Sequence, residues 1–319
     1  MVPEPVSTLT PQVNNTASRG ARPWLVYAIF TTIAWGVWGA LIEIPEKAGF
    51  PATLGYAVWA FTMVPCAAFA LWRRNWKWER DRRSLLLGAI LGLTGAAGQL
   101  VLFEALRLGP AYLVFPVVSL YPALTIAMSC VWLKESASRR HWVGIILALP
   151  AIALLSTSPA GDSVSQSALW VLLAAGVFIG WGVQAFFIKL SNNVMSAESV
   201  FLYITLGGLL LVPVAVGMTD FERPIYWGLG GPYLAVPVHL LNSLGTLALV
   251  YALRHGKAII VVPMTALAPV ITVLLSLALY HRVPLAAQTA GIVLAMGAVY
   301  LLCESEGCVE QKDERAQAR

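Results

Sequence analysis

From Trp24 to Cys303 the sequence is a succession of apolar runs, each long enough to cross a hydrocarbon core about 30 Å thick. Only short polar breaks separate them. In lipid no water is at hand for backbone N–H and C=O groups, so a crossing segment must bond to itself as a helix or close into a barrel. The runs are continuous rather than alternating, which selects helices. Counting them predicts ten spans, near 24–43, 52–72, 84–106, 111–133, 138–157, 167–189, 198–218, 232–253, 258–280 and 284–303. Only 12% of the residues are charged, about half of what a soluble domain uses to keep its surface wet. The chain is expected to be all-α and embedded in a membrane.

Charge placement sets the orientation. An even number of spans puts both termini on one side. With the termini inside, seventeen of the 21 Lys and Arg residues fall in inner segments, among them Arg73, Arg74, Lys77, Arg80, Arg82 and Arg83. The outer loops keep Lys47, Arg107, Arg223 and Arg282. This asymmetry makes the termini cytoplasmic, in a cell (plasma or inner) membrane. The net charge of +5 therefore reflects topology and gives no support to nucleic-acid binding. Residues 1–22 are expected to be a disordered cytoplasmic segment, and residues 304–319 a cytoplasmic tail. The four cysteines, Cys66, Cys130, Cys303 and Cys308, have neither a disulfide framework nor zinc-ligand spacing. Cys303 and Cys308 could meet, with a reduced pair expected.

The sequence repeats itself. Residues 98–155 fall on 245–302 at a shift of 147 without a gap: Ala105-Leu106-Arg107 on Ala252-Leu253-Arg254, Gly109 on Gly256, Pro116 on Pro263, Pro122 on Pro269, Thr125 on Thr272, Ser129 on Ser276 and Gly144 on Gly291. At a shift of 146, Trp35-Gly36-Val37 falls on Trp181-Gly182-Val183. Five spans per copy is an odd number, so the second copy enters the membrane upside down. The expected architecture is ten transmembrane helices as two inverted five-helix repeats, 23–157 and 167–303, around a central cavity, joined by an external linker at 158–166. Inverted repeats that rock about a midplane site are a construction of secondary transporters.

Trp35-Gly36 and Trp181-Gly182, the Ala-Leu-Arg-x-Gly turns, the Pro-rich helices that follow them, and Leu133-Lys134-Glu135 before Gly144 carry a resemblance. Over nearly its whole length the chain resembles the EamA-type transporters of the drug/metabolite transporter superfamily. The resemblance implies ten helices, a cavity between the halves, and export or exchange of small metabolites such as amino acids or amines. Three departures stand out: Glu43 where the second copy has Lys189, Glu135 against Arg282, and Pro150 against Gly297. Substrate charge therefore does not carry over.

Candidate site residues follow from membrane depth. Trp35, Trp38, Tyr121 and Trp181 lie near the middle of their spans, too deep for interfacial anchoring. They either line a cavity or pack. Gln99, Gln184 and Asn242 are intramembrane amides that should face inward, for a solute or for interhelical bonding. Pro122 and Pro269 should kink the fourth helix of each copy and free a carbonyl. Pro122, Thr125 and Ser129 share a face, as do Pro269, Thr272 and Ser276, giving either a cavity wall or a packing seam. Glu43 and Lys189 are candidate gate charges or snorkelling helix ends. Glu104 and Arg107 are expected to pair, and Gly88, Gly92 and Ala96 to form a packing row.

The leading function is a secondary transporter of small organic metabolites working by alternating access. A flippase for a lipid-linked head group is the alternative within the fold. An embedded enzyme is disfavoured, because His141, His239, His255 and His281 are scattered and no nucleophile, paired-carboxylate or phosphate-loop motif occurs. No cofactor or metal is called for. The expected partners are a small-molecule solute and the lipid bilayer.

Overall fold

The computed structural model describes residues 23–132, 139–155, 169–256, 258–280 and 285–303, and the regular structure in them is helical throughout. Eight helical segments among the described residues are long and apolar enough to cross a membrane, and Thr289–Leu301 adds a shorter apolar one. The result is a largely α-helical, multi-pass membrane fold. Expectations for residues 1–22, the linker 158–166, the tail 304–319, Leu133-Lys134-Glu135, Lys257, His281, Arg282 and the pairing of Cys303 with Cys308 lie outside the described residues.

The first span is α1 (Pro23–Leu41), extended by the short α2 (Glu43–Lys47) beyond its expected end. Next come α3 (Ala52–Arg73) and α4 (Arg82–Leu108). The fourth span is not one helix. It breaks at Ser119–Leu120 into α5 (Ala111–Val118) and α6 (Tyr121–Trp132). Pro122 has no N–H to offer the Val118 carbonyl, and its ring crowds that turn, so the helix stops and restarts. After α7 (Arg139–Leu155), α8 (Leu169–Asn192), α9 (Ala197–Leu210), α10 (Val212–Gly217) and α11 (Leu234–His255), the same event recurs. The chain breaks at Ala266–Leu267, ahead of Pro269, between α12 (Ala258–Thr265) and α13 (Ala268–Tyr280). The last described helix, α14 (Ala286–Cys303), packs on α7.

Packing between the two parts of the chain comes in matched pairs. α4 lies against α8 and α1 against α11; α6 meets α8 and α13 meets α1; α4 meets α9 and α11 meets α3. Individual residues repeat the correspondence. Thr125 donates to the Gly182 carbonyl at 2.9 Å, and Thr272 donates to the Gly36 carbonyl at 3.0 Å. A Cβ on Gly36 would lie 2.6 Å from Ile271, and one on Gly182 would lie 2.9 Å from Leu124. Thus the glycine of each Trp-Gly pair is the landing place of a broken helix from the other part of the chain. The polar faces Thr125–Ser129 and Thr272–Ser276 are buried in these seams.

The row Gly88–Gly92–Ala96 packs as expected from its size. A Cβ on Gly88 would lie 2.3 Å from the Tyr203 ring, and one on Gly207 only 2.4 Å from the Gly92 carbonyl carbon. Backbones this close gain dispersion contacts that lipid tails cannot supply.

One connection is held by a charge. Glu79, between α3 and α4, accepts from Ser196 Oγ at 3.0 Å, from Ser199 Oγ, and from Arg74 at 3.2 Å, while its carbonyl takes the Tyr203 hydroxyl at 2.7 Å. On the other face of the fold, Tyr226 N–H bonds the Gly49 carbonyl at 3.1 Å and Trp227 packs edge-on against Phe50. Partial burial pushes the Glu79 carboxyl up, but hydrogen bonds from Ser199, Ser196 and Arg74 outweigh it and hold the group at about 2, below its ordinary 4.5. A carboxylate depressed in the folded state stabilises it fully above its unfolded pKa, and that contribution fades as pH falls through the folded one. Glu79→Gln is therefore expected to lower the Tm of the detergent-solubilised protein at neutral pH. The gap from wild type should close as the pH is taken from about 4.5 to about 2. A gap that stays constant over that window would show that Glu79 acts without its charge.

Candidate functional site

A chamber lies between helices from both parts of the chain. Six of the seven residues expected from membrane depth line it: Trp35 from α1, Gln99 from α4, Tyr121 from α6, Trp181 and Gln184 from α8, and Asn242 from α11. Trp59 on α3 and Thr246 on α11 complete its polar and aromatic wall, and sequence reasoning missed both. The signals were present. Trp59 sits mid-span in 52–72, at a depth like that of Trp35, and Thr246 is the repeat counterpart of Gln99 at the 147 shift.

Asn242 organises the polar side. Its Oδ1 accepts from Trp59 Nε1 at 2.7 Å, and its carbonyl accepts from Thr246 Oγ1 at 2.9 Å and Trp35 Nε1 at 3.3 Å. Two indoles and one amide thus fix each other across α1, α3 and α11. Gln99 differs: it is 2% exposed, lines the chamber, and its Nε2 finds no hydrogen-bond partner. Helix glycines seat the large side chains. A Cβ on Gly95 would fall 1.9 Å from the Gln184 amide, on Gly98 2.8 Å from Trp181, and on Gly245 2.6 Å from Trp35.

Three rings form a partition. Trp35 and Trp181 stack with centroids 6.5 Å apart and planes at 25°, and Tyr121 meets Trp181 edge-on at 6.4 Å. All three also line a second, more apolar cavity, whose far wall includes Phe115, Ser119, Thr265, Pro269 and Thr272. Both helix breaks open onto this second space. Pro269 lines it, whereas Pro122 is buried at the start of α6.

Trp38 departs from the expectation. It lies nearly one helical turn beyond Trp35, in the wall of the second cavity and not in the chamber. It is 2% exposed, and its Nε1 donates to His239 Nδ1 at 3.2 Å. The indole is engaged with a histidine and the Phe115 ring.

Glu43 and Lys189 are also tied to protein groups. The Glu43 carboxylate takes the Ala111 N–H at the start of α5 and the Lys47 ammonium. The Lys189 ammonium lies on the carbonyls of Leu253 and Gly256, at 3.5 and 3.0 Å, where α11 ends. Each copy pins its Arg-x-Gly turn with the charge that its helix terminus prefers, an anion at an N-terminus and a cation at a C-terminus. Neither residue lines the chamber. The expected Glu104–Arg107 pair is present, with Arg107 Nε 3.0 Å from both carboxylate oxygens. No Asp, Glu, Lys, Arg or His is among the residues lining the chamber, and no cluster of three metal-ligating residues occurs among the described residues.

The EamA-like transporter family matches this sequence twice, over residues 22–157 and 168–303. An uncharacterized transporter, YvbV, from Bacillus subtilis (strain 168) is 26% identical over 284 residues, covering 86% of this chain and 89% of its own length. An uncharacterized protein of Methanocaldococcus jannaschii, MJ1333.1, is 37% identical over 78 residues, 24% of this chain and 57% of that protein. One crystal structure superposes with a TM-score of 0.62 at 20% identity, covering 87% of this chain and 96% of the other, which is a likeness of fold.

The seating glycines give a direct test of the chamber. Gly95→Ala should push the Gln184 amide out of its place and change the apparent KM for a transported solute several-fold. Gly297→Ala, with nothing within 4 Å of the new methyl, should leave transport unchanged. Equal behaviour of the two variants in a proteoliposome flux assay would remove Gln184 from the site.

Proposed function

This chain belongs to the EamA-like transporter family, and from that membership we propose that the chamber is the solute site of an alternating-access cycle. The protein is a secondary transmembrane transporter of small solutes, a multi-pass protein of the plasma or inner membrane, and not an enzyme. One observation carries the site reading: side chains from both family-matched segments converge on a single chamber with a polar arc and aromatic walls.

The proposed architecture is ten spans in two inverted five-helix repeats, 23–157 and 167–303, joined by an external linker at 158–166. The exchanged bonds Thr125–Gly182 and Thr272–Gly36 support it, since each is what the other becomes under the repeat. Trp35, Gln99, Tyr121, Trp181, Gln184 and Asn242 then hold the solute, with Trp59 and Thr246 behind them. Rings supply apolar area, and amides replace hydration that the solute sheds. The Trp35–Trp181–Tyr121 partition, built from both repeats, is the gate between chamber and second cavity. Rocking at the breaks before Pro122 and Pro269 would part it while Glu43 and Lys189 keep the turns intact. Trp38, held by His239, belongs to the seal beyond the gate. Amino acids and amines are the solutes that the family resemblance brings forward.

Counterflow in proteoliposomes against a metabolite panel tests this reading. Trp181→Ala and Gln184→Ala should each shift apparent affinity or solute preference while membrane insertion stays normal. If transport of a verified substrate is the same in both variants, the chamber is not the site. Orientation is tested separately. The positive charge of the Arg73–Arg83 loop supports an orientation with that loop and both termini in the cytoplasm and the Asp220–Gly231 loop outside. Single introduced cysteines in Asp220–Gly231 should react with an impermeant maleimide on intact cells. Labelling of the 73–83 loop instead would invert the topology.

A further inference from the structure

Beyond the chamber, at the end of the fold where α2 leads into α3, a smaller pocket continues along the same helix faces. Gly55 on α3 is four residues from Trp59, Phe103 on α4 four from Gln99, and His239 on α11 three from Asn242. Ile42, where α1 runs into α2, is seven from Trp35. Spacings of three, four and seven keep residues on one helix face, so the pocket lies on the line of the chamber and not beside it. The proposed orientation puts this end outside. Its wall is apolar except for Glu46 and His239.

Charges at this end do not balance. Glu43 is taken by the Ala111 N–H and the Lys47 ammonium, and Glu104 by Arg107. Glu46 lies in the field of these four groups, yet its carboxylate makes no hydrogen bond or ion pair among the described residues. Three carboxylates therefore face two cations, and one negative charge is left over. The fold does not require it. At the 146 shift the counterpart of Glu46 is Asn192, which serves the opposite end as a neutral amide on the Val250 carbonyl, at 3.3 Å. His239 brings no compensating charge. An indole N–H only donates, so the Nδ1 that accepts from Trp38 is unprotonated and the ring carries its proton on Nε2. That nitrogen lies on the Gly55 side, 3.8 Å from where a Cβ on Gly55 would sit. It has no partner among the described residues, on a side chain whose residue is 1% exposed. A spare anion and a spare N–H donor thus line one pocket, and each is costly until matched. Resting on the chamber being the solute site, we infer that this pocket is its entry subsite, where Glu46 receives the ammonium group of a solute and His239 Nε2–H an oxygen acceptor on the same molecule.

A cysteine in the pocket wall reads this charge directly. Ala52 lines the pocket, and Ala52→Cys in the purified full-length protein is treated with two methanethiosulfonates, one carrying a trimethylammonium and the other a sulfonate. Modification of that residue is followed by mass spectrometry, and each rate is divided by the rate with free mercaptoethanol. The cationic reagent should react several-fold faster, because a cleft with one uncompensated charge concentrates ions of opposite sign. Glu46→Gln should abolish the difference, as should Glu46→Asn, which places there the side chain its counterpart uses. Ethanolamine should slow both reagents, ethylamine less so for want of the oxygen, and ethylene glycol and glycolate not at all. That slowing should vanish with Glu46→Gln. Equal rates for the two reagents, a preference that survives both Glu46 substitutions, protection by the glycol or by glycolate, ethylamine matching ethanolamine, or no modification at all would overturn the inference. Trp181→Ala, assayed for counterflow with the metabolite panel, reports on the chamber separately. If it alters transport while the charge preference is missing, the chamber remains the site and only the entry subsite falls. If it leaves transport unchanged, the site reading falls, and the entry role with it.

Discussion

A backbone amide inside a hydrocarbon layer has no partner but another part of the protein, and this requirement governs how the molecule is built. It makes the spans helical, and it decides where they are allowed to stop. The two breaks, at Ser119–Leu120 and Ala266–Leu267, sit where prolines remove an N–H, and both face the second cavity rather than lipid. Neighbouring hydroxyls take up backbone carbonyls around them, as Ser119 does with Pro116 at 2.7 Å and Thr265 with Val262 at 2.9 Å. At these two breaks the irregular backbone lies in the protein interior.

The Trp-Gly pairs join packing and site in adjacent residues. Gly36 and Gly182 let Ile271 and Leu124 of the broken helices approach, and each glycine carbonyl receives a threonine hydroxyl from the facing helix. That approach fixes α1 against α13 and α8 against α6. It also aims Trp35 and Trp181 at one another across the chamber, where Gly245 and Gly98 leave room for their indoles. A substituent at any of these glycines would displace a helix or a ring, so site geometry and helix packing here are one problem.

Charge is used sparingly and away from the chamber. Glu79 fastens one loop, and Glu43 and Lys189 fasten the equivalent turns of the two parts of the chain with opposite charges. A carboxylate reaches for an N–H and an ammonium for a carbonyl, so the substitution of one for the other moves the attachment from a helix start to a helix end. The chamber is left with amides, hydroxyls and rings.

Much of this was determined by the sequence alone. Apolar runs too long for a soluble core dictate membrane helices, and the prolines, glycines and arginine repeated at shifts of 146 and 147 dictate a duplication. Depth along a span is also a sequence property, which is why Trp35, Gln99, Tyr121, Trp181, Gln184 and Asn242 could be picked as a group. Facing direction is different. Trp38 and Trp59 are both mid-span tryptophans, yet Trp59 reaches the chamber and Trp38 turns into the second cavity to bond His239. Hydropathy carries no record of this choice, because in a span apolar all round the rotation of a helix is set by the neighbours it touches. Only tertiary packing decided it, through glycine seats on α4 and α11 and partners more than a hundred residues away.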